Sequence, residues 1–248
     1  SLADNAVGVL TRLGADLTDS EVEERRTTPQ PQDVATIIYT SGTTGRPRGC
    51  ALTHANLLAE VAAATHEEPE LFADPDAGTL LFLPLAHVLA RITQLGAVHA
   101  GIRLGHASDM ARLPELLEGF APTFVLGVPR VFEKIYNTAS QRATADGKAA
   151  IFERATQVAI AHSRAVETGK VSLRLRAEHA VMDRLVFGKV RAALGPSCRF
   201  AVSGGAPLGE RLAHYFRGIG IPILEGYGLT ETSGAVSATL PRGSEEII

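Results

Sequence analysis

The chain has 248 residues, 45% of them apolar and 21% charged, with a net charge of −3 at pH 7. That length and balance suit one large domain or two small ones with a sizeable core. The charge argues against a general nucleic-acid binder, which shows a basic excess, and no apolar run approaches the roughly 20 residues that span a bilayer.

The start, Ser1-Leu2-Ala3-Asp4, has neither the basic end nor the apolar stretch of a signal peptide. It does not begin with Met, so the true start is expected upstream. Cys50 and Cys198 make neither a disulfide framework nor a metal set, which fits a reducing cytoplasm.

Residues 17–33 are polar and charged and end in Pro29 and Pro31, so they read as a short helix and a surface linker. Val34 to Tyr39 is a short β-branched apolar run, expected as a buried strand. A Gly/Thr/Ser loop from Thr40 to Gly49 follows, and Thr53 is placed to cap a helix over 54–64. Further strands are expected at Thr79–Leu83, Thr123–Leu126, Phe200–Val202 and Ile221–Leu224. Between them, helical spacing covers Arg130–Arg142, Ala149–Thr168, Val171–Leu194 and Gly209–Arg217. Strands alternating with helices imply an α/β fold with a largely parallel sheet flanked by helices. The strands from Val34 to Leu224 are expected to join in one sheet.

The loop reads Tyr39-Thr40-Ser41-Gly42-Thr43-Thr44-Gly45-Arg46-Pro47-Arg48-Gly49. Its glycines let the backbone approach a ligand, and successive N–H groups in such a turn form a concave anion site. Four hydroxyls and two arginines add donors and charge of the kind a triphosphate needs. The bare alternative is a Ser/Thr/Gly turn. The loop is not a Walker A motif: counted from Gly42, the second glycine should fall where Pro47 stands, and no Lys-Ser/Thr pair follows.

A second segment, Glu225-Gly226-Tyr227-Gly228-Leu229-Thr230-Glu231-Thr232, follows the last expected strand. Flanking glycines leave a face of the Tyr227 ring open to a planar base, and Thr230 and Glu231 can reach phosphate and a hard cation. The alternative is a turn with a packed Tyr and a capping Glu. Ser203-Gly204-Gly205-Ala206-Pro207-Leu208 offers a flat wall or a helix-initiating turn. In Leu83-Pro84-Leu85-Ala86-His87-Val88, His87 is a substrate contact or a packing residue. In Val128-Pro129-Arg130-Val131-Phe132-Glu133-Lys134, Arg130 and Glu133 suit a helix-start ion pair.

Taken together, these segments resemble the adenylate-forming superfamily of acyl-CoA synthetases, firefly luciferase and peptide-synthetase adenylation domains. The family's Thr-Ser-Gly-Thr-Thr-Gly-x-Pro-Lys-Gly signature holds at Thr40 to Gly45, Pro47 and Gly49, with Arg48 where lysine is usual. Charge is kept, but Arg is planar and bulkier. The Gly-Tyr-Gly-x-Thr-Glu motif matches Gly226 to Glu231 position by position. The Val128–Lys134 segment, and the helical stretch after it, resemble the long-chain fatty acyl-CoA synthetase branch.

The resemblance implies a nucleotide site of Thr40, Ser41, Gly42, Thr43, Thr44, Gly45, Arg48, Gly204, Gly205, Ala206, Glu225, Gly226, Tyr227, Gly228 and Thr230. Tyr227 would stack on adenine, Thr230 bind the α-phosphate, Glu231 hold Mg²⁺, and His87 lie near the acyl carboxylate. Thr230, Glu231 and His87 are thus the catalytic candidates. Implied substrates are a fatty acid, ATP and CoA, in a cytoplasmic enzyme with room for a peripheral membrane contact and an oligomer. Rival acceptors and roles are a carrier protein in place of CoA, or a non-catalytic nucleotide- or acyl-binding module. The chain is expected to be the central part of the large adenylating domain. The start of that domain and the small C-terminal domain with its catalytic lysine lie outside the resemblance, and no lysine follows Lys189.

Overall fold

The computed structural model describes residues 6–41, 45–67 and 69–238. Two surface helices open the chain, α1 (Ala6–Leu13) and α2 (Asp19–Thr27). In α2 the Thr18 hydroxyl accepts from the Glu21 N–H, and the Glu21 carboxylate accepts from the Thr18 N–H. This reciprocal cap lets a helix with no buried residue form on local sequence alone.

Strands β1 (Val34–Thr40) and β2 (Arg48–Thr53) pair antiparallel, with Thr40 opposite Arg48. Thr40 and Arg48 therefore face one another across a hairpin, and β1 is followed by a second strand and not directly by a helix. Nor is β1 buried: Val34, Ile37 and Tyr39 are exposed, and Ile38 is the one residue of the strand that is fully buried. A two-stranded ribbon presents only one face to the protein, where Ile38 and Leu52 meet Leu57. Thr53 then caps α3 (His54–Glu67), accepting from the Asn56 N–H at 3.2 Å while Asn56 Oδ1 accepts from the Thr53 N–H at 3.0 Å.

The chain continues through α4 (Pro69–Phe72), β3 (Gly78–Leu81), α5 (Val88–Ala100), β4 (Arg103–His106), α6 (Leu113–Phe120), β5 (Phe124–Gly127) and α7 (Pro129–Ala145). It then forms α8 (Ala149–Glu167), α9 (Leu173–Met182), α10 (Gly188–Ala192), β6 (Phe200–Gly204), α11 (Glu210–Gly218), β7 (Ile223–Leu229) and β8 (Gly234–Ala238). The expected helix over 171–194 is broken by a π-helical turn, Asp183–Phe187, between α9 and α10. Its last residue, Phe187, lies in the core, and Arg191 reaches back to Asp183 at 2.5 Å.

Among the described residues three sheets form where one was expected: the β1–β2 ribbon, the parallel pair β3–β4, and β5–β6–β7–β8. β5, β6 and β7 run parallel, and β8 returns antiparallel. β1 takes its partner in β2, and neither strand is part of the main sheet. The pair β3–β4 is linked to the main sheet by Thr123, whose N–H donates to the Gly78 carbonyl at 2.8 Å while its hydroxyl accepts from the Gly78 N–H at 3.0 Å.

The parallel strands β3 and β5 are buried along their whole length, so their sequences run largely apolar without alternation. Val125, Ala201 and Ile223 point into the main core with α6 to α11, whereas Phe124 and Leu224 meet Leu71 on the other face. The main core is aromatic, with Phe132 edge-on to Phe216 at 5.8 Å and Tyr136 edge-on to Tyr215 at 4.9 Å. Helices α8 and α11 approach closely at Gly218, where a Cβ would overlap the backbone of Ala159. Ser163 and His214 bond across the same seam at 3.0 Å. Burial pushes the Cys198 thiol up to about 12, so it is a packing group and not a nucleophile.

Candidate functional site

The site lies where the β1–β2 hairpin meets the turn after β7. Thr40 Oγ1, the last residue of β1, donates to Glu231 Oε1 at 3.4 Å, joining two segments 191 residues apart in sequence. Beside it, the Cys50 thiol of β2 lies 3.6 Å from the Thr230 carbonyl oxygen. Both leading motifs therefore meet at one place.

The turn that carries Thr230 and Glu231 is stiff. The Thr232 hydroxyl accepts from the Leu229 N–H at 3.0 Å and lies 2.9 Å from the Leu229 carbonyl and 3.0 Å from that of Gly234. Gly228 and Gly234 run so close that a Cβ on Gly228 would overlap the Gly234 carbonyl. From α3, the Glu60 carboxylate accepts from the Ala235 N–H at 2.6 Å. Burial raises the pKa of Glu60, and the bond from Ala235 opposes that shift.

Tyr227 sits on β7 opposite Ser237, between two glycines, with 65% of its surface exposed. A strand and not a loop holds it, and its ring is open to solvent. Gly204 pairs with Gly226 on the neighbouring strand, and Gly205 has φ of 83°, a conformation only glycine adopts without strain. Ala206 follows in the same loop. Glu225 accepts from the Leu208 N–H at 3.1 Å, which ties that loop to β7.

Ser41, Gly45, Arg46 and Arg48 are exposed on the hairpin, and neither arginine makes an ion pair with any described residue. Gly42, Thr43 and Thr44 lie outside the described residues. His87 takes the N-cap position of α5, exposed, without a side-chain capping bond. Leu89, two residues on, lies 3.2 Å from where a Cβ on Gly204 would stand, so the start of α5 borders the glycine wall. The expected ion pair of Arg130 and Glu133 does not form among the described residues; both side chains are exposed at the start of α7.

What gathers here is a set of oxygen and nitrogen donors with free cations and one exposed carboxylate. Among the described residues no three His, Cys, Asp or Glu side chains cluster as a metal cage.

Parallel strands that end in glycines, with an open tyrosine and the end of the β1–β2 ribbon beside them, make this an α/β fold with its candidate site at the ends of the strands. The chain belongs to the AMP-binding enzyme family, whose pattern it matches over residues 4–247. It is 52% identical over 233 residues to the long-chain-fatty-acid–CoA ligase FadD15 of Mycobacterium bovis, covering 94% of this chain and 39% of that protein. It is 37% identical over 214 residues to the peroxisomal long chain acyl-CoA synthetase 7 of Arabidopsis thaliana, covering 85% of this chain and 29% of the relative. The chain thus spans well under half the length of these relatives. Among solved structures, o-succinylbenzoate coenzyme A synthetase of Bacillus subtilis, in complex with ATP and magnesium, shares the fold. Its TM-score is 0.57 at 19% identity, over 87% of this chain and 34% of that one. The N-terminal domain of FACL13 from Mycobacterium tuberculosis gives a TM-score of 0.51 at 21% identity, over 90% of this chain and 46% of that one.

The sequence did not single out Cys50, Glu60, Leu89 or Thr232. Cys50 and Glu60 carry no local signal, because their partners lie 180 and 175 residues away. Thr232 had one, a hydroxyl placed to close a turn on its own backbone.

Proposed function

We propose that this chain supplies the ATP side of a fatty-acid-activating site, as the central part of a larger adenylating domain. The observation that supports the reading is the 3.4 Å contact between Thr40 and Glu231, which joins the end of β1 to the turn beside Tyr227. The substrate carboxylate attacks the α-phosphorus of ATP, an acyl-AMP forms, and pyrophosphate leaves. A CoA thiol then attacks the acyl carbon and releases AMP. Tyr227 stacks on the adenine, and Gly204, Gly205 and Ala206 form the wall beside it. Thr40, Ser41, Gly42, Thr43, Thr44, Gly45 and Arg48 hold the outgoing phosphates. Thr230 holds the α-phosphate, and His87 at the head of α5 faces the acyl carboxylate. Mg²⁺ on Glu231 would offset charge gathering on the phosphates.

The protein's contribution is positioning and fixed donors, which act most strongly where charge develops. A long-chain substrate follows from the nature of the relatives. In the full-length protein, palmitate should drive ATP–pyrophosphate exchange, and Glu231→Gln should lower that exchange and raise its Mg²⁺ requirement. Exchange that needs no carboxylate, or a Glu231→Gln protein with normal rates at low Mg²⁺, would overturn the reading.

A further inference from the structure

Helix α9 is held on the block by polar contacts. None of its residues is fully buried, and Leu173 and Val181 stand exposed. Its last residue, Met182, is partly buried against the main core. Two neighbouring residues fasten its middle. Glu178 pairs with Arg154 of α8 at 2.5 Å. His179 stacks on His162 of α8, with ring centres 3.9 Å apart and planes 28° from parallel. The Nε2 of the same His179 lies 2.7 Å from the Gly218 carbonyl oxygen of α11. Beyond α9 the chain enters the π-helical turn and is anchored again at Phe187. Such turns are rare and frequently sit at functional sites.

The two rings of the stack are not equivalent. A carbonyl oxygen only accepts, so His179 carries a proton on Nε2, and a further proton can enter only at Nδ1. Charge on His179 meets the Gly218 carbonyl and, one turn on, the Asp183 carboxylate. For His162, burial first, then His179 and the Arg176 cation, lower the pKa below its usual 6.5. The other charges beside the pair are already tied, Asp183 to Arg191 at 2.5 Å and Arg217 to Glu167. His214 of α11 differs, because Glu210 at 3.6 Å and Glu167 at 3.9 Å can meet its charge. Two positive rings at stacking distance repel, and more strongly where water is partly excluded.

We infer that α9 is a proton-operated latch: the His162–His179 stack holds it on α8 while at most one ring is charged, and charging both rings drives them apart and frees the helix. Once freed, His162 regains its ordinary pKa, so the open form takes up the proton more readily than the docked one. Docking is therefore strongest above pH 6.5 and weakens as pH falls through the lowered pKa of His162. The carboxylates nearby do not compete over this range. Arg174 holds Glu178 below its usual 4.5, and Arg191 holds Asp183 below its usual 3.8. The latch belongs to the block of α6 to α11 and does not depend on the adenylating reading.

The test is amide hydrogen exchange of the full-length protein at pH 7.5 and pH 5, with each rate corrected for the intrinsic effect of pH. Opening of α9 should rise about tenfold or more at pH 5, as expected for a histidine shifted by one pKa unit or more, while α8 and α11 keep their protection. His162→Phe keeps a ring for the stack and cannot take a charge, so its α9 should open equally at both pH values. Titration of the histidine ring signals by NMR supplies a second reading in the parent. His162 should take its proton after His179, and α9 should open along the His162 curve. Equal opening of α9 at both pH values in the parent would overturn the latch. So would a pH response that survives in His162→Phe, which would assign the effect to another group. If the ring swap loosens α9 at every pH, the parent's titration decides: His162 titrating before His179, or without any change in α9, overturns it too.

Discussion

The block built from α6 to α11 and the edge that carries the site are made differently. In the block, Phe132, Phe187, Phe216 and Tyr215 are fully or almost fully buried around β5, β6 and β7, and helices close on one another at Gly218. At the edge, the ribbon of β1 and β2 rests on a small cluster of Ile38, Leu52 and Leu57, and Ser41, Arg48, His87, Tyr227 and Glu231 stand in solvent. Packing is concentrated in one region and the proposed chemistry in the other. An exposed donor can meet a ligand, whereas a buried one has already spent its hydrogen bonds on the fold.

Mutations can break or sharpen that division. The largest effect is expected from Phe216→Ala, which opens a cavity beside Phe132 and should cost about 3–5 kcal/mol in denaturant unfolding. A loss below about 1 kcal/mol would mean that the aromatic core does not hold the block together. Gly228→Ala attacks the other region. Its new methyl group would meet the Gly234 carbonyl and displace the turn at Thr230 and Glu231. AMP affinity should fall about a hundredfold, ~2.8 kcal/mol, with the unfolding midpoint shifted far less than by Phe216→Ala. Equal damage to stability and binding would erase the contrast.

Tyr227→Ala removes the open ring and nothing from the core. It should weaken AMP binding by about 1–3 kcal/mol, the range for base–aromatic stacking, and leave the melting temperature in place. Unchanged affinity would remove Tyr227 from the site. The smallest effect belongs to Glu60, which bridges the regions by holding β8. Burial raises its pKa above the unfolded value of 4.5. The folded protein therefore holds the proton more tightly, and the stability linked to it is present below pH 4.5 and lost as pH rises through the folded value. Glu60→Gln cannot ionise. Relative to the variant, the parent should lose stability between pH 4 and pH 7, by less than about 1 kcal/mol. Thermal melts at both values measure it, and the same difference at each pH would show that ionisation of Glu60 is not coupled to folding.

Much of this was legible from residues alone. The Thr40–Gly49 and Gly226–Glu231 segments were marked out by local chemistry as candidates for phosphate and base binding, and Thr40 and Glu231, one from each, meet in space. The parallel strand at 124–127 and the starts of those at 200 and 223 show as short continuous apolar runs, because both faces of such a stretch are covered. Thr53 was readable as a cap because a cap acts within one turn of its own helix.

Three features were decided by the tertiary structure. An apolar run cannot say whether one face or two will be covered, so Val34–Tyr39 read as buried while Val34, Ile37 and Tyr39 stand exposed on a two-stranded ribbon. Strand partnership is likewise non-local, so the strands divide into three sheets by pairings that no single segment encodes. The contacts that fix the acting turn, Thr40 to Glu231, Cys50 to Thr230 and Glu60 to Ala235, each join residues 175 or more positions apart. The sequence by itself determined which side chains have the chemistry to bind a nucleotide, because that chemistry is a property of each residue and its immediate neighbours. Only folding decided which of them meet, because chain folding brings residues together across distances at which local propensity carries no information.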